Sequence, residues 1–363
     1  MIHNIGSAHS EATSTNFMRN NLRLQILVLA AAVSLAGLTS ARATLLAYEG
    51  FDYTANATFT GLSGGSGWST AWALNGGNTL NSVTLAGSFT YTDINGYSLV
   101  TSGNRAHVTG DGSALGDNLP GGTAAGAQPL RSLNFNRGIT GGPETTWISM
   151  LAIRTGLPNP TPSAPPADYL YGRAFGVQFF NQTTTATTAG NEQFSVGRAT
   201  QSSESNTGLP NDTWSVSNQG AANAQKVSNV NMASGPADFL LIRIDHIGTT
   251  ANDLANADTI RVWINPPDLN IAPSDGSADI VFNSNEFAAP PESTTRDFFF
   301  NRIRLFGGSV QTTPSGRSYG SEEIDEFRIG DTFGDVTPNA IPEPSAFAFG
   351  GLGLLVLVFR RRG

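Results

Sequence analysis

The sequence predicts an all-β protein, an antiparallel β-sandwich, and three observations carry that prediction. Short runs of alternating polarity recur along the whole chain. The composition favours turns, with 41 Gly and 19 Pro among 363 residues. Outside two terminal segments no helical period persists over a window of about 11 residues. Turn-rich chains of short alternating strands bury one face of each strand and fold as sandwiches or barrels.

Each element follows from its own pattern. The run from Leu46 to Tyr53 opens the body of the chain. Trp147 to Ile153 is nearly continuously apolar and reads as a buried strand. Phe175, Val177 and Phe179 share one face, as do Phe194 and Val196. Leu240, Ile242 and Ile244 point one way while Arg243 and Asp245 point the other. Ile260, Val262 and Ile264 repeat this against Arg261, and Ile303 and Leu305 against Arg302 and Arg304. Such alternation is that of antiparallel strands with one buried face. Gly, Pro and Asn clusters at Gly61–Gly67, Pro158–Pro166 and Ala288–Thr295 separate the runs. The strands on either side of Pro158–Pro166 look alike, so it is read as a long loop within a single domain over 44–336 rather than as a linker.

Charge and composition exclude several functions. With no cysteine, disulfides, thiolate zinc sites and cysteine nucleophiles are ruled out. Residues 44–341 hold 14 basic against 26 acidic residues, with Lys226 the single lysine. Nucleic acid, which needs a basic patch, is therefore not an expected partner.

The two ends read as export signals. Met18-Arg19-Asn20-Asn21-Leu22-Arg23 is a basic region before an apolar stretch from Leu24 to Leu38, and Ala41-Arg42-Ala43 supplies the small-x-small pattern that signal peptidase cuts after. Residues 1–43 are thus expected to be a signal peptide with a helical core, with Met18 as its initiator. An uncleaved anchor is the competing reading. At the other end, residues 337–345 form a linker ending in Pro342-Glu343-Pro344-Ser345. From Ala346 to Phe359 every residue is Ala, Phe, Gly, Leu or Val, followed by Arg360, Arg361 and Arg362. A helix apolar all round belongs in a core or a membrane. The arginine stems can snorkel to lengthen a short span, and residues 346–363 are expected to be a transmembrane helix with its arginine stop on the cytoplasmic side. A buried terminal helix or strand is the alternative.

The order of Pro-Glu-Pro, short apolar span and arginine cluster resembles the PEP-CTERM sorting signal of Gram-negative bacteria that make extracellular polysaccharide. The resemblance implies recognition of Pro342, Glu343 and Pro344 by an exosortase-type membrane enzyme, cleavage near them, and release or transfer to the cell surface. A second resemblance rests on Leu46-Ala47-Tyr48-Glu49-Gly50-Phe51-Asp52-Tyr53, Gly67-Trp68, Asn301-Arg302-Ile303-Arg304-Leu305 and Glu323-Ile324-Asp325-Glu326-Phe327-Arg328-Ile329-Gly330. This layout is similar to the laminin-G-like, concanavalin-A-like jelly rolls attached to such tails. It implies that the first and last strands pair, placing Tyr48–Phe51 beside Phe327–Ile329.

Each candidate for chemistry has a plain structural role that competes with it. One glycosidase family on the jelly-roll fold carries Glu-x-Asp-x-x-Glu on a strand, where a β-bulge aligns the third carboxylate. Here Glu323 and Asp325 stand in the first two places and Arg328 in the third, so the set is incomplete and the charges are expected to face solvent or cap the strand entry. Gly61-Leu62-Ser63-Gly64-Gly65 matches a nucleophile elbow formally, without the strand, helix, acid and base it needs. His107 and His246 are expected to be surface or half-buried histidines. Asn252, Asp253, Asn256 and Asp258, with Asp268, Asp275 and Asp279, are loop oxygens that calcium could use, without fixed spacing. For carbohydrate the candidates are Trp68, Trp72, Trp214 and Trp263, the last alternating out of the Ile260–Ile264 face, with packing in the core as the competing role. The function expected is that of a non-enzymatic surface or matrix protein associated with exopolysaccharide, with a lectin-like module or, less favoured, a glycoside hydrolase as alternatives.

Overall fold

In a computed structural model of the chain, the described residues lie between Leu45 and Asn339, excepting 78–81, 110–126, 139–142, 156–174, 182–190, 199–212, 218–224, 232–235, 248–255, 287–297, 308, 313–315 and 320. The expected signal segment with Ala41 and Ala43, and the tail with Pro342, Glu343, Pro344 and Arg360–Arg362, fall outside them. Among the described residues no helix is long and apolar enough to cross a membrane.

The strands in chain order are β1 (Leu45–Glu49), β2 (Ala73–Gly77), β3 (Ser82–Leu85), β4 (Arg105–Thr109), β5 (Ala127–Arg137) and β6 (Glu144–Thr155). Then come β7 (Phe175–Asn181), β8 (Asn191–Arg198), β9 (Thr213–Ser217), β10 (Gln225–Asn231), β11 (Asp238–His246) and β12 (Thr259–Ile264). The last are β13 (Ile280–Asn283), β14 (Phe300–Gly307), β15 (Ser309–Thr312), β16 (Gly316–Tyr319) and β17 (Ser321–Gly330), before a single-turn helix α1 (Phe333–Val336).

Two antiparallel sheets make a sandwich. One runs β13-β12-β11-β6-β17-β4-β3, with β1 also on β17; the other runs β10-β9-β8-β7-β14-β5-β2, and β15 and β16 form a separate hairpin. The core between the sheets is built from the alternating residues read in the sequence: Ile148 and Met150 of β6, Leu240, Ile242 and Ile244 of β11, and Val177, Phe179, Phe194, Val196, Ile303 and Leu305 of the facing sheet. Phe179 and Phe327 meet across the gap with ring centroids 6.4 Å apart.

The first and last strands pair as expected, with Tyr48 opposite Arg328 and Glu49 opposite Phe327. On the same edge β4 pairs with residues 321–324, while β6 runs along the other edge with a register shift between Asp325 and Arg328. The edge of β17 therefore changes partner at a β-bulge, where Glu326 adopts φ 54°. A bulge leaves one residue unpaired and turns side chains that would alternate onto one face.

A second apolar layer covers the outer face of the eight-stranded sheet. Trp147, Leu151 and Ile153 of β6, Phe239 and Leu241 of β11 and Trp263 of β12 pack with Leu99, Leu269 and Val336, against Phe89, Tyr91, Tyr97 and Phe333. The roof is thus the segment between β3 and β4, the loop after β12, and α1. This explains the nearly continuous apolar run of β6 from Trp147 to Ile153, since a strand covered on both faces has no polar side.

Candidate functional site

Polar chemistry concentrates on two faces. The first is the outer face of the seven-stranded sheet, opposite the core. Along β7 and β14 the inward Val177, Phe179, Ile303 and Leu305 leave Gln178, Phe180, Arg302, Arg304 and Phe306 facing out. Arg304 donates through Nε to Gln178 Oε1 at 2.7 Å and through Nη1 to Asn75 Oδ1 and Gln128 Oε1, each at 3.0 Å. Its guanidinium lies over the rings of Phe180 and Phe306, 4.6 and 5.5 Å from their centroids. Glu192 of β8 stands opposite Phe180. Burial pushes its carboxyl above the usual range, with Arg304, Gln178 and Ser195 opposing the shift. Among the described residues its Oε1 has no hydrogen-bond partner, an unmet demand that a buried carboxyl rarely carries. Desolvation in the same place lowers Arg304.

The second is β17. The bulge sets Glu323, Asp325 and Arg328 on one outer face, the geometry that the Glu-x-Asp-x-x-Glu pattern requires, but Arg328 occupies the third place. The expectation that these charges face solvent is corrected: Asp325, Glu326 and Arg328 are buried, because the segment between β3 and β4 roofs them. Asp325 Oδ2 accepts from the Ser88 hydroxyl and from the Phe89 N–H at 2.8 Å. Glu326 accepts from the Ser102 N–H, from the Tyr48 hydroxyl at 3.1 Å and from Arg328, whose Nη2 also donates to Val100 O at 2.6 Å. Glu323, half-buried, takes Arg105. Burial raises Asp325 to about 7 against the bonds from Ser88 and Phe89, and Tyr48 to about 12. Asp325 and Glu326 fasten the roof and anchor that segment, while Glu323 holds Arg105 at the start of β4. Glu322 points between the sheets instead. Its carboxyl is raised well above the normal range by complete burial, with the Gly176 N–H as its backbone donor.

The remaining residues singled out in the sequence fall as follows. Three of the four candidate tryptophans take the core role that competed with sugar stacking. Trp72, Trp214 and Trp263 are 1 %, 1 % and 2 % exposed. Trp72 donates to Glu49 at 3.1 Å and Trp214 to Asp238 at 2.8 Å. Trp263 stacks on Trp147 at 5.9 Å, its outward face being taken up by the second apolar layer. Trp68 is half-buried and donates to Tyr48 O at 2.9 Å. The rings of Trp72, Trp214 and Trp263 therefore lack the open faces on which a sugar stacks. Ser63 sits in a glycine turn, with Gly61 and Gly65 at φ 87° and 71°.

His107 is half-buried, but His246 is buried, held by Asp258 at 3.3 Å and Thr146 at 3.1 Å. Asp258 also accepts from the N–H groups of Ile247 and Phe298. Asp268 accepts from Asn95 and Asn270, Asp275 pairs with Arg243 and Arg261, and Asp279 accepts from the Ile264 N–H. Asn252 and Asp253 lie outside the described residues, and Asn256 is exposed. Among the described residues no group of three His, Asp or Glu side chains is placed to hold a metal ion. Sequence reasoning missed Glu192, Gln178 and Asn75. A usable signal was the two-residue alternation that sets Gln178 between Val177 and Phe179.

Comparison with known proteins decides the other end of the chain. Residues 340–362 match the family model of the PEP-CTERM protein-sorting motif. The chain carries a PEP-CTERM tail. Such a motif marks a chain for export and for sorting at the envelope. No curated protein matches the sequence. Among solved structures, an endo-β-1,4-glucuronan lyase from the fungus Trichoderma reesei is 10% identical, with a TM-score of 0.40, covering 81% of this chain and 99% of the lyase. A pseudo β-1,3-glucanase and immunostimulatory antigen of Mycobacterium tuberculosis is 11% identical, with a TM-score of 0.37 and coverage of 79% and 99%. The binding domain of botulinum neurotoxin serotype D is 10% identical, with a TM-score of 0.32 and coverage of 71% and 45%.

Proposed function

We propose that the protein is exported through its N-terminal segment, processed at the PEP-CTERM tail by an exosortase-type enzyme, and delivered to the cell envelope or surface as a non-enzymatic, polysaccharide-associated protein. The match over residues 340–362 carries this reading. The fate of the carboxylates agrees with a non-catalytic role: Asp325 and Glu326 are spent on holding backbone, and Arg328 stands where a third carboxylate would be needed. Mass spectrometry of the protein recovered from the cell surface tests it. A mature chain beginning near Thr44 and ending near Pro342–Pro344 is expected; an intact tail on the surface protein, or a cytoplasmic location, ends the reading.

A lectin-like activity is favoured by one observation, that Oε1 of Glu192 on the outer face of the seven-stranded sheet has no hydrogen-bond partner among the described residues. A sugar hydroxyl would satisfy it, with Gln178 and Arg304 beside it. A broad glycan array should show binding by the wild-type chain that Glu192→Leu removes. Absence of binding to any glycan, with and without calcium, eliminates this activity.

A further inference from the structure

The sandwich holds its own C-terminus tightly. Leu99 and Asn339 form a β-bridge, the Val100 N–H donates to Pro338 O at 2.8 Å, and Asn339 Nδ2 donates to Asn270 Oδ1 at 2.6 Å. Two loops therefore clamp the point from which the tail departs, the segment between β3 and β4 and the loop after β12. They are also bound to each other. Tyr91 donates to Pro266 O at 2.7 Å, the Leu269 N–H to Asp93 Oδ2 at 2.8 Å, and Asn95 Nδ2 to Asp268 Oδ2 at 3.2 Å.

These same loops carry the most exposed large apolar side chains among the described residues. Ile94 is 83% and Ile271 67% exposed, and Val100 adds a third. Ile94 adjoins Asn95, and Ile271 adjoins Asn270, so each sits one residue from a bond that ties the clamp. The turn holding Ile94 is itself well ordered, with Asp93 Oδ1 accepting from the N–H groups of Asn95 and Tyr97, each at 2.9 Å. Exposed apolar residues on ordered loops mark an interaction surface when they gather at one place.

Covalent geometry supplies the occupant. A fully extended chain spans at most about 3.6 Å per residue, so Pro342 lies within about 11 Å and Ala346 within about 25 Å of Asn339. Even a small folded domain has a radius of gyration of about 13 Å. A membrane protein working on Pro342–Pro344 is therefore held close to the loops that carry Ile94 and Ile271. Asp268 lies on this face with no cationic partner among the described residues, which disfavours direct docking on anionic lipid.

We propose that Ile94, Ile271 and Val100 form the surface by which the sandwich docks on the membrane-embedded protein that processes its tail, so that the enzyme reads the folded body as well as the Pro-Glu-Pro motif. The proposal rests on the sorting function given above. The test uses the full chain in cells that carry the processing enzyme. Ile94→Asp combined with Ile271→Asp should slow tail removal on the order of tenfold, while Val281→Asp, at an exposed apolar site on β13, should leave it unchanged. A photoactivatable phenylalanine analogue in place of Ile94 should crosslink to the processing protein, giving an adduct that disappears when that protein is deleted. Equal processing of the double variant and wild type overturns the docking proposal alone, as does an adduct with lipid only. A tail retained by wild type too defeats the sorting function, and the docking with it.

Discussion

Removing Arg131 puts the buried ion pair at the start of the sandwich to a quantitative test. Arg131 and Glu49 are 2% and 1% exposed at their side chains and form an ion pair. Glu49 also accepts from Tyr53 at 2.8 Å, from the Phe51 N–H at 3.0 Å and from Trp72 at 3.1 Å, while Arg131 donates to Gly64 O and Thr70 O. Burial raises the Glu49 carboxyl, and Arg131 is the strongest influence holding it down. In Arg131→Met that opposition is gone, and Glu49 must stay protonated to remain buried.

Keeping a carboxyl protonated costs about 1.4 kcal/mol per pH unit above its unfolded pKa, which for glutamate is near 4.5. This sets an upper limit of about 5 kcal/mol at pH 8 and under about 1 kcal/mol at pH 5. The first value agrees with the ~3–5 kcal/mol typical of breaking a buried pair. The sign follows from a folded pKa above the unfolded one: stability is intact below pH 4.5 and is lost as pH rises. Equilibrium denaturation at both pH values measures it, and the loss at pH 8 should lower Tm by about 6–20 °C. Adding Glu49→Gln to Arg131→Met should remove the pH dependence. A loss equal at pH 5 and pH 8, or one below about 1 kcal/mol at pH 8, would refute the reasoning.

Three further outcomes follow from the geometry. Asp325, raised to about 7 from 3.8 chiefly by burial, should make wild type lose on the order of 4 kcal/mol between pH 4 and pH 8, a slope that Asp325→Asn flattens when unfolding is followed across that range. Gly67 has φ 81°, and a Cβ there would run into the Leu46 carbonyl oxygen and the Ala47 backbone; Gly67→Ala should cost about 1–3 kcal/mol or more by urea unfolding. Trp263→Ala empties the second apolar layer between Trp147 and the Ser274–Ser277 turn, and calorimetry should show a loss of about 3–5 kcal/mol.

The residue pattern carried the architecture well. Alternation at Leu240–Ile244, Ile260–Ile264 and Ile303–Leu305 identified inward faces that the core contains, while the pairing of Tyr48–Phe51 with Phe327–Ile329, which the jelly-roll resemblance implied, is met by Tyr48 and Glu49 opposite Arg328 and Phe327. It failed where one face of a strand was assumed to meet water. Trp263 and the β17 carboxylates alternate out of the central core, yet loops between 86 and 104 and between 265 and 279 cover them. Alternation reports which side chains point together; it does not say what lies above them. Trp147–Ile153, apolar on both faces, was the one local hint of a second layer.

Sequence alone determined the sorting signal, because a Pro-Glu-Pro, apolar, arginine tail acts as a linear segment whose chemistry needs no partner from elsewhere in the chain. It also determined the sandwich class, since a two-residue period is a property of the strand itself. Only the tertiary structure decided which polar groups work together. Glu49 with Arg131, Asp325 with Ser88 and Phe89, Glu192 with Arg304, and Asn339 with Leu99 and Asn270 are each brought together from distant positions or across strand pairs. A burial cost or an unmet hydrogen bond exists only once the surrounding chain has excluded water.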